Sequence, residues 1–145
     1  MKTKIFCDTA DLKIINLFNK KKIVDGFTTN PSLIRAAGAK NYKDYSLKIL
    51  KTCKSKPISF EVFTDNPNEM LQQAYKINKW GKNVYVKIPV ENSKGVFMGR
   101  VIKELSSKGI KLNITAVYTF KQTYKIFNNL DKKTKSIISI FAGRM

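Results

Sequence analysis

Residues 58–89 read Ile58-Ser59-Phe60-Glu61-Val62-Phe63, then Thr64-Asp65-Asn66-Pro67-Asn68-Glu69-Met70-Leu71-Gln72-Gln73-Ala74-Tyr75-Lys76-Ile77-Asn78-Lys79-Trp80-Gly81-Lys82, then Asn83-Val84-Tyr85-Val86-Lys87-Ile88-Pro89. The outer segments are short apolar runs, the first preceded by Pro57 and the second stopped by Pro89. Between them Met70, Leu71, Ala74 and Ile77 recur at helical spacing. Asn66-Pro67 marks a helix start and Gly81 a stop. A strand, a helix and a second strand in this order predict two parallel strands joined by a right-handed crossover.

The same alternation extends in both directions. Upstream lie the apolar run Lys4–Asp8, a helix over 11–20 with Leu12, Ile15 and Phe18 on one face, and a second run at Ile23–Phe27. A helical turn follows Pro31, and Tyr42, Tyr45, Ile49, Leu50 and Cys53 mark a helix to Cys53. Downstream, Asn92 or Ser93 opens a helix with Phe97, Val101, Ile102 and Leu105 inward, closed by Gly109. Strand five is Ile110–Val117, a helix covers 120–130, and strand six is Ser136–Phe141. Five β-α repeats and a final strand give an α/β fold with a parallel sheet, in one domain over residues 1–145.

Composition removes several chemistries. There is no His, so Ser-His and Cys-His nucleophile pairs and imidazole metal sites are excluded. Two cysteines, Cys7 and Cys53, are too few for a zinc site or a disulfide framework. No dinucleotide G-x-G-x-x-G or phosphate-binding P-loop occurs. No apolar run approaches the ~20 residues of a membrane helix, and the apolar part of the N-terminus is too short for a signal peptide. A cytoplasmic protein without membrane partners is expected. The formal charge is +18, from 28 Lys+Arg against 10 Asp+Glu. The lysines lie in nearly every segment and accompany no nucleic-acid motif, so their distribution argues against a nucleic-acid partner. A field of this sign still attracts anionic small molecules such as sugar phosphates.

Parallel β/α folds place their sites where the strands end. Strand one ends in Asp8-Thr9, strand two leads into Thr28-Thr29-Asn30-Pro31-Ser32, and strand three carries Glu61. Strand four carries Lys87, strand five Asn113 and Thr115, and strand six Ser139, with Arg144 beyond it. Lys87 is the informative one. In a strand covered on both faces it loses water, which disfavours the ammonium and leaves an amine able to attack a carbonyl and form a Schiff base. Glu61 is its natural acid–base partner, acting through a water held by Thr115.

With these residues in place, the chain resembles the short microbial branch of the transaldolase family, which includes the fructose-6-phosphate aldolases. The matching stretches are Ile5–Ala10, Val24–Leu33 with its Thr28-Thr29-Asn30-Pro31-Ser32, Ile58–Val62, Val84–Pro89, Lys111–Thr115 and Ser139–Arg144. The resemblance implies a TIM (β/α)₈ barrel, here about strands one to six of eight. It also implies class I aldol chemistry without a metal or organic cofactor. By the same resemblance Lys87 forms the Schiff base, Asp8 handles the substrate hydroxyl proton, and Glu61 and Thr115 hold the catalytic water. Thr28, Asn30, Asn113, Ser139 and Phe141 face substrate, and Arg144 holds the phosphate in the bidentate geometry of a guanidinium. The family's aldolases carry Gln at the position of Glu61 and Tyr at that of Phe141, so the implied activity is transaldolase. The alternatives are an aldolase of the same family and a non-catalytic barrel that binds sugar phosphates. Ile140 and Leu112 stand where Pro and Thr are usual.

A complete barrel of this type takes about 200–250 residues. Six strands leave open sheet edges and part of an apolar interior uncovered. A weakly stable chain is therefore expected, aggregation-prone or assembled with copies of itself or a complementary chain, and with little turnover alone.

Overall fold

A computed structural model describes residues 3–143. Among them six strands alternate with helices: β1 (Phe6–Asp8), α1 (Leu12–Asn19), β2 (Gly26–Thr28), α2 (Pro31–Ala36), α3 (Tyr42–Thr52), β3 (Ile58–Glu61), α4 (Pro67–Asn78), β4 (Val84–Pro89), α5 (Gly99–Ser107), β5 (Leu112–Val117), α6 (Phe120–Asn129) and β6 (Ser136–Ile140). Strand order follows chain order, β1-β2-β3-β4-β5-β6. This is the architecture of a TIM barrel through its sixth strand. No helix among the described residues is long and apolar enough to cross a membrane.

Two compact units divide the chain. The first comprises Met1–Glu61 and Lys79–Val84. In it β1 pairs parallel with β2, setting Asp8 beside Thr28, and β2 pairs parallel with β3, setting Thr28 beside Ser59. Ile15 from α1, Ile34 from α2 and Ile49 from α3 are fully buried with Phe27, Ile58 and Phe60 of the strands. Burial of each such side chain is worth about 1.5–3 kcal/mol. Trp80 packs edge-on to Phe60, with ring centroids 5.7 Å apart, and lies 6.0 Å from the Tyr42 ring. Caps define the helix starts: Asp11 Oδ1 accepts from the Lys13 and Ile14 N–H groups, and Asn41 Oδ1 from that of Asp44.

The second unit comprises Val62–Asn78 and Tyr85–Met145. Here β4 pairs parallel with β5, with Lys87 beside Asn113 and Pro89 beside Thr115, and β5 pairs parallel with β6. Val86, Ile88, Leu112 and Ile114 of the strands and Val101, Ile102 and Leu105 of α5 form its core. Helix α6 opens on a reciprocal capping box between Thr119 and Gln122. Only Ile126 of α6 is buried, while Phe120, Tyr124 and Phe127, spaced along one helix face, stay exposed.

Several boundaries differ from the sequence expectation, three of them with a visible cause or consequence. Strand two begins at Gly26, and Ile23 is 67% exposed. The chain leaving α1 first turns, with Val24 N–H donating to Lys21 O and Asp25 N–H to Ile5 O. Strand three ends at Glu61, leaving Phe63 exposed. The helix expected from Asn92 or Ser93 begins only at Gly99, and Phe97 precedes it. Asn92 is not a helix cap: its Oδ1 accepts from the Lys94 and Val96 N–H groups around Gly95, whose φ is +72°. That closes a tight turn in which Glu91 and Phe97 bridge antiparallel.

Gly26 lies where β1 and the residue before β3 come closest. A Cβ there would lie 2.4 Å from the Phe6 ring and 2.8 Å from the Pro57 carbonyl oxygen, and the backbone oxygen cannot step aside. Gly26→Ala should lower unfolding free energy by about 1–3 kcal/mol in urea titrations, the usual cost of overpacking.

Candidate active site

In the first unit, alternation along paired strands brings Asp8, Thr28, Ser59 and Glu61 to one face of β1, β2 and β3. Thr28 Oγ1 donates to Asp8 Oδ1 at 2.7 Å, so a hydroxyl orients an exposed carboxylate. Asp8 does not cap α1; Asp11 does. Asn30 caps α2 through Oδ1, which accepts from Leu33 N–H at 2.8 Å, and its Nδ2 has no partner among the described residues. Thr29 is buried and donates through Oγ1 to Ser59 O at 2.7 Å, binding β2 to β3 beneath these groups.

Glu61 is half-buried at the end of β3, and its backbone is gripped by a residue that sequence reasoning placed only on an apolar helix face. Tyr42 Oη accepts from Glu61 N–H at 2.9 Å and donates to Glu61 O, 3.1 Å away. Burial pushes the Tyr42 phenol well above its ordinary range, so it stays a neutral hydroxyl. The signal available in the sequence was a tyrosine at the first helical position of α3, which is no sign of a partner on a strand.

The second unit sets Lys87, Asn113 and Thr115 on one face of β4 and β5. Lys87 is 7% exposed, between the fully buried Val86 and Ile88. Asn113 is fully buried and its Oδ1 accepts from Ser139 Oγ of β6 at 2.7 Å. Phe141 follows Ser139 by two residues, its N–H bound to Val117 O, and its ring meets Tyr118 edge-on at 5.5 Å. Thr115 is 2% exposed, and its Oγ1 has no hydrogen-bond partner among the described residues. Directly after it Ala116 adopts φ +58°, where the β5–β6 register shifts between Ile114 and Val117. A non-glycine residue in the left-handed region at a bulge is costly, and such costs gather at functional positions. Neither the bulge nor Tyr118 was legible from the pattern Leu112–Val117, which reads as a plain strand.

Of the residues singled out from sequence, Asp8, Thr28 and Glu61 thus share a face in one unit, and Lys87, Asn113 and Thr115 share one in the other, where Ser139 joins Asn113. Arg144 lies outside the described residues. The thiols of Cys7 and Cys53 are both pushed upward by burial, which favours the protonated form. Among the described residues no three His, Cys, Asp or Glu side chains group as a metal site.

A family model described as "Transaldolase/Fructose-6-phosphate aldolase" matches residues 5–145. The chain is 34% identical over 142 residues to a "Probable transaldolase" of Herpetosiphon aurantiacus, covering 98% of this chain and 60% of that protein. It is 37% identical over 144 residues to a "Probable transaldolase" of Streptococcus agalactiae serotype V, covering 98% of this chain and 61% of the relative. A "Probable transaldolase" of a Sulfurihydrogenibium species is likewise 37% identical over 142 residues, with 98% and 61% covered. The chain therefore spans about three-fifths of the length of these relatives.

Proposed function

The chain belongs to the transaldolase/fructose-6-phosphate aldolase family, and on that premise we propose that it moves a dihydroxyacetone unit from a ketose phosphate to an aldose phosphate through a Schiff base on Lys87. The observation that carries this reading is Lys87 itself, an amine buried at 7% exposure in an apolar strand beside Asn113 and Thr115. A lysine whose only task were solubility would sit on the surface.

The chemistry is as follows. Lys87 Nζ attacks the ketose carbonyl carbon, and the carbinolamine loses water when a proton reaches its hydroxyl. Glu61 supplies that proton through a water, which the otherwise unpartnered Thr115 Oγ1 holds. Asp8, oriented by Thr28, takes the proton of the hydroxyl next to the breaking carbon–carbon bond. The aldose phosphate leaves, the enamine left on Lys87 attacks the aldehyde of the acceptor as Asp8 returns the proton to the new hydroxyl, and water hydrolyses the resulting imine to release the product ketose and free the Lys87 amine. Asn113 and Ser139, already hydrogen-bonded to each other, and the Nδ2 of Asn30 bind substrate hydroxyls. Arg144 takes the phosphate. The sequence needs no metal or organic cofactor, because the imine is its own electron sink. An ionisable Glu61 and a Phe141 without a hydroxyl favour transfer over release of free dihydroxyacetone. On this reading the protein works in the cytoplasm, in pentose phosphate interconversion.

Whole-protein mass spectrometry after borohydride reduction with fructose 6-phosphate tests the assigned roles. Lys87→Met should fold as the parent does and gain no mass. Glu61→Gln should still gain mass, but at least about tenfold more slowly, since general acid catalysis contributes typically 10²–10⁴-fold. Equal trapping rates in Glu61→Gln and the parent would remove Glu61 from the dehydration step. In an active form, Glu61→Gln with Phe141→Tyr should lower the ratio of transfer to dihydroxyacetone release, and an unchanged ratio would contradict the role given to these two positions.

A further inference from the structure

Sequence order scatters the lysines of the first unit, and the fold brings the segments that carry Lys20, Lys21, Lys22, Lys54 and Lys79 to one end of it. Because β1, β2 and β3 run parallel, the segments entering them reach one end of the unit. The segments at 19–25 and 52–57, and that at 79–83 ahead of β4, are knitted together there. Lys56 Nζ donates to the carbonyls of Phe18 at 3.3 Å and Lys21 at 2.8 Å. Asn83 Nδ2 donates to the carbonyls of Cys53 and Lys56, both at 2.8 Å, and Asn19 Nδ2 to that of Thr52 at 3.0 Å. On this platform Lys20, Lys21, Lys22, Lys54 and Lys79 are all exposed. None of these five ammonium groups is in an ion pair among the described residues. The one carboxylate on these segments, Asp25, is half-buried and accepts from Ile5 N–H. Acidic groups lie instead where β1 and β3 finish, at Asp8, Asp11 and Glu61.

Like charges held together without carboxylates raise the local potential and concentrate anions. Five point charges on three segments suit a repeating anion better than a single phosphate. Single strands call for exposed aromatic platforms, and the one aromatic ring on these segments, Trp80, packs against Phe60 and Tyr42. A membrane surface calls for an amphipathic helix with a broad apolar face, whereas this platform is built of turns and offers Ile23 as its exposed aliphatic. No helix or ribbon projects from it to read a groove. We infer that this end of the first unit binds the phosphate backbone of double-stranded nucleic acid without reading its sequence. The inference is independent of the proposed transaldolase chemistry and uses none of its residues.

Fluorescence anisotropy of a labelled random-sequence DNA duplex titrated with the 145-residue chain tests it. Four to five phosphate contacts give a log–log salt slope of about −4, hence a loss of roughly 250-fold in affinity between 50 and 200 mM salt. Replacing Lys20, Lys21, Lys22, Lys54 and Lys79 together by Gln should flatten that slope to near zero and weaken binding at 50 mM salt by at least about 100-fold. Replacing Lys13, Lys40, Lys43, Lys103 and Lys121 by Gln lowers net charge equally and should leave affinity within about threefold. Circular dichroism and thermal melts establish that both variants fold; should the first not fold, Lys20, Lys21 and Lys22→Gln alone should reduce the slope by about 3. Equal losses in the two variants would show that overall charge, not this platform, binds. Absence of saturable binding at 50 mM salt would overturn the inference, as would binding to phosphatidylserine vesicles that the duplex fails to displace.

Discussion

Lys87 stands between the fully buried Val86 and Ile88 and is itself almost wholly shut off from water. An amine in such a place loses several kcal/mol of hydration unless polar groups replace the solvent. Polar side chains share its face of the sheet: Asn113 beside it on β5, Thr115 two residues on, and Ser139 bound to Asn113 from β6. Each of these polar side chains would be a fault in a purely structural strand. Their alternation with Leu112, Ile114 and Val117 keeps one face polar and the other packed on helices.

The supports are stiffer than the groups they hold. The Glu61 backbone is fixed at both its N–H and its C=O by one phenol, and that phenol is in turn packed on Trp80. Asp8 is aimed by Thr28 from the next strand, and Asn30 is locked as a helix cap. Thr115 is followed by a bulge with Ala116 in the left-handed region. Site geometry held by packed elements and hydrogen-bonded neighbours is what preorganised chemistry requires.

Much of this was legible in the order of residues. Strand–helix alternation is a local property, written in periodicity and in Pro and Gly punctuation, so the β/α succession and its six strands could be read directly. Lys87 could be read because it contradicts its own strand. What stayed hidden depends on contacts between distant segments. Tyr42 looked like a core residue until Glu61 was beside it. The turn at Asn92–Phe97 resembled a helix start because an Asn that caps and an Asn that closes a turn use the same side-chain oxygen. The lysines at 20–22, 54 and 79 looked dispersed because neither the parallel sheet nor the bonds from Lys56 and Asn83 can be seen in a linear chain.

The central claim is that one buried lysine, among many exposed ones, is the reactive amine. Peptide mapping of the chain reduced with borohydride in the presence of fructose 6-phosphate tests it most directly, because labelling governed by access alone would favour exposed lysines such as Lys20, Lys54 and Lys79. The account predicts the reduced substrate adduct, the three-carbon dihydroxyacetone unit or the uncleaved ketose phosphate, on the peptide containing Lys87, at Lys87 itself. An adduct distributed over the exposed lysines, with Lys87 unmodified, would contradict it.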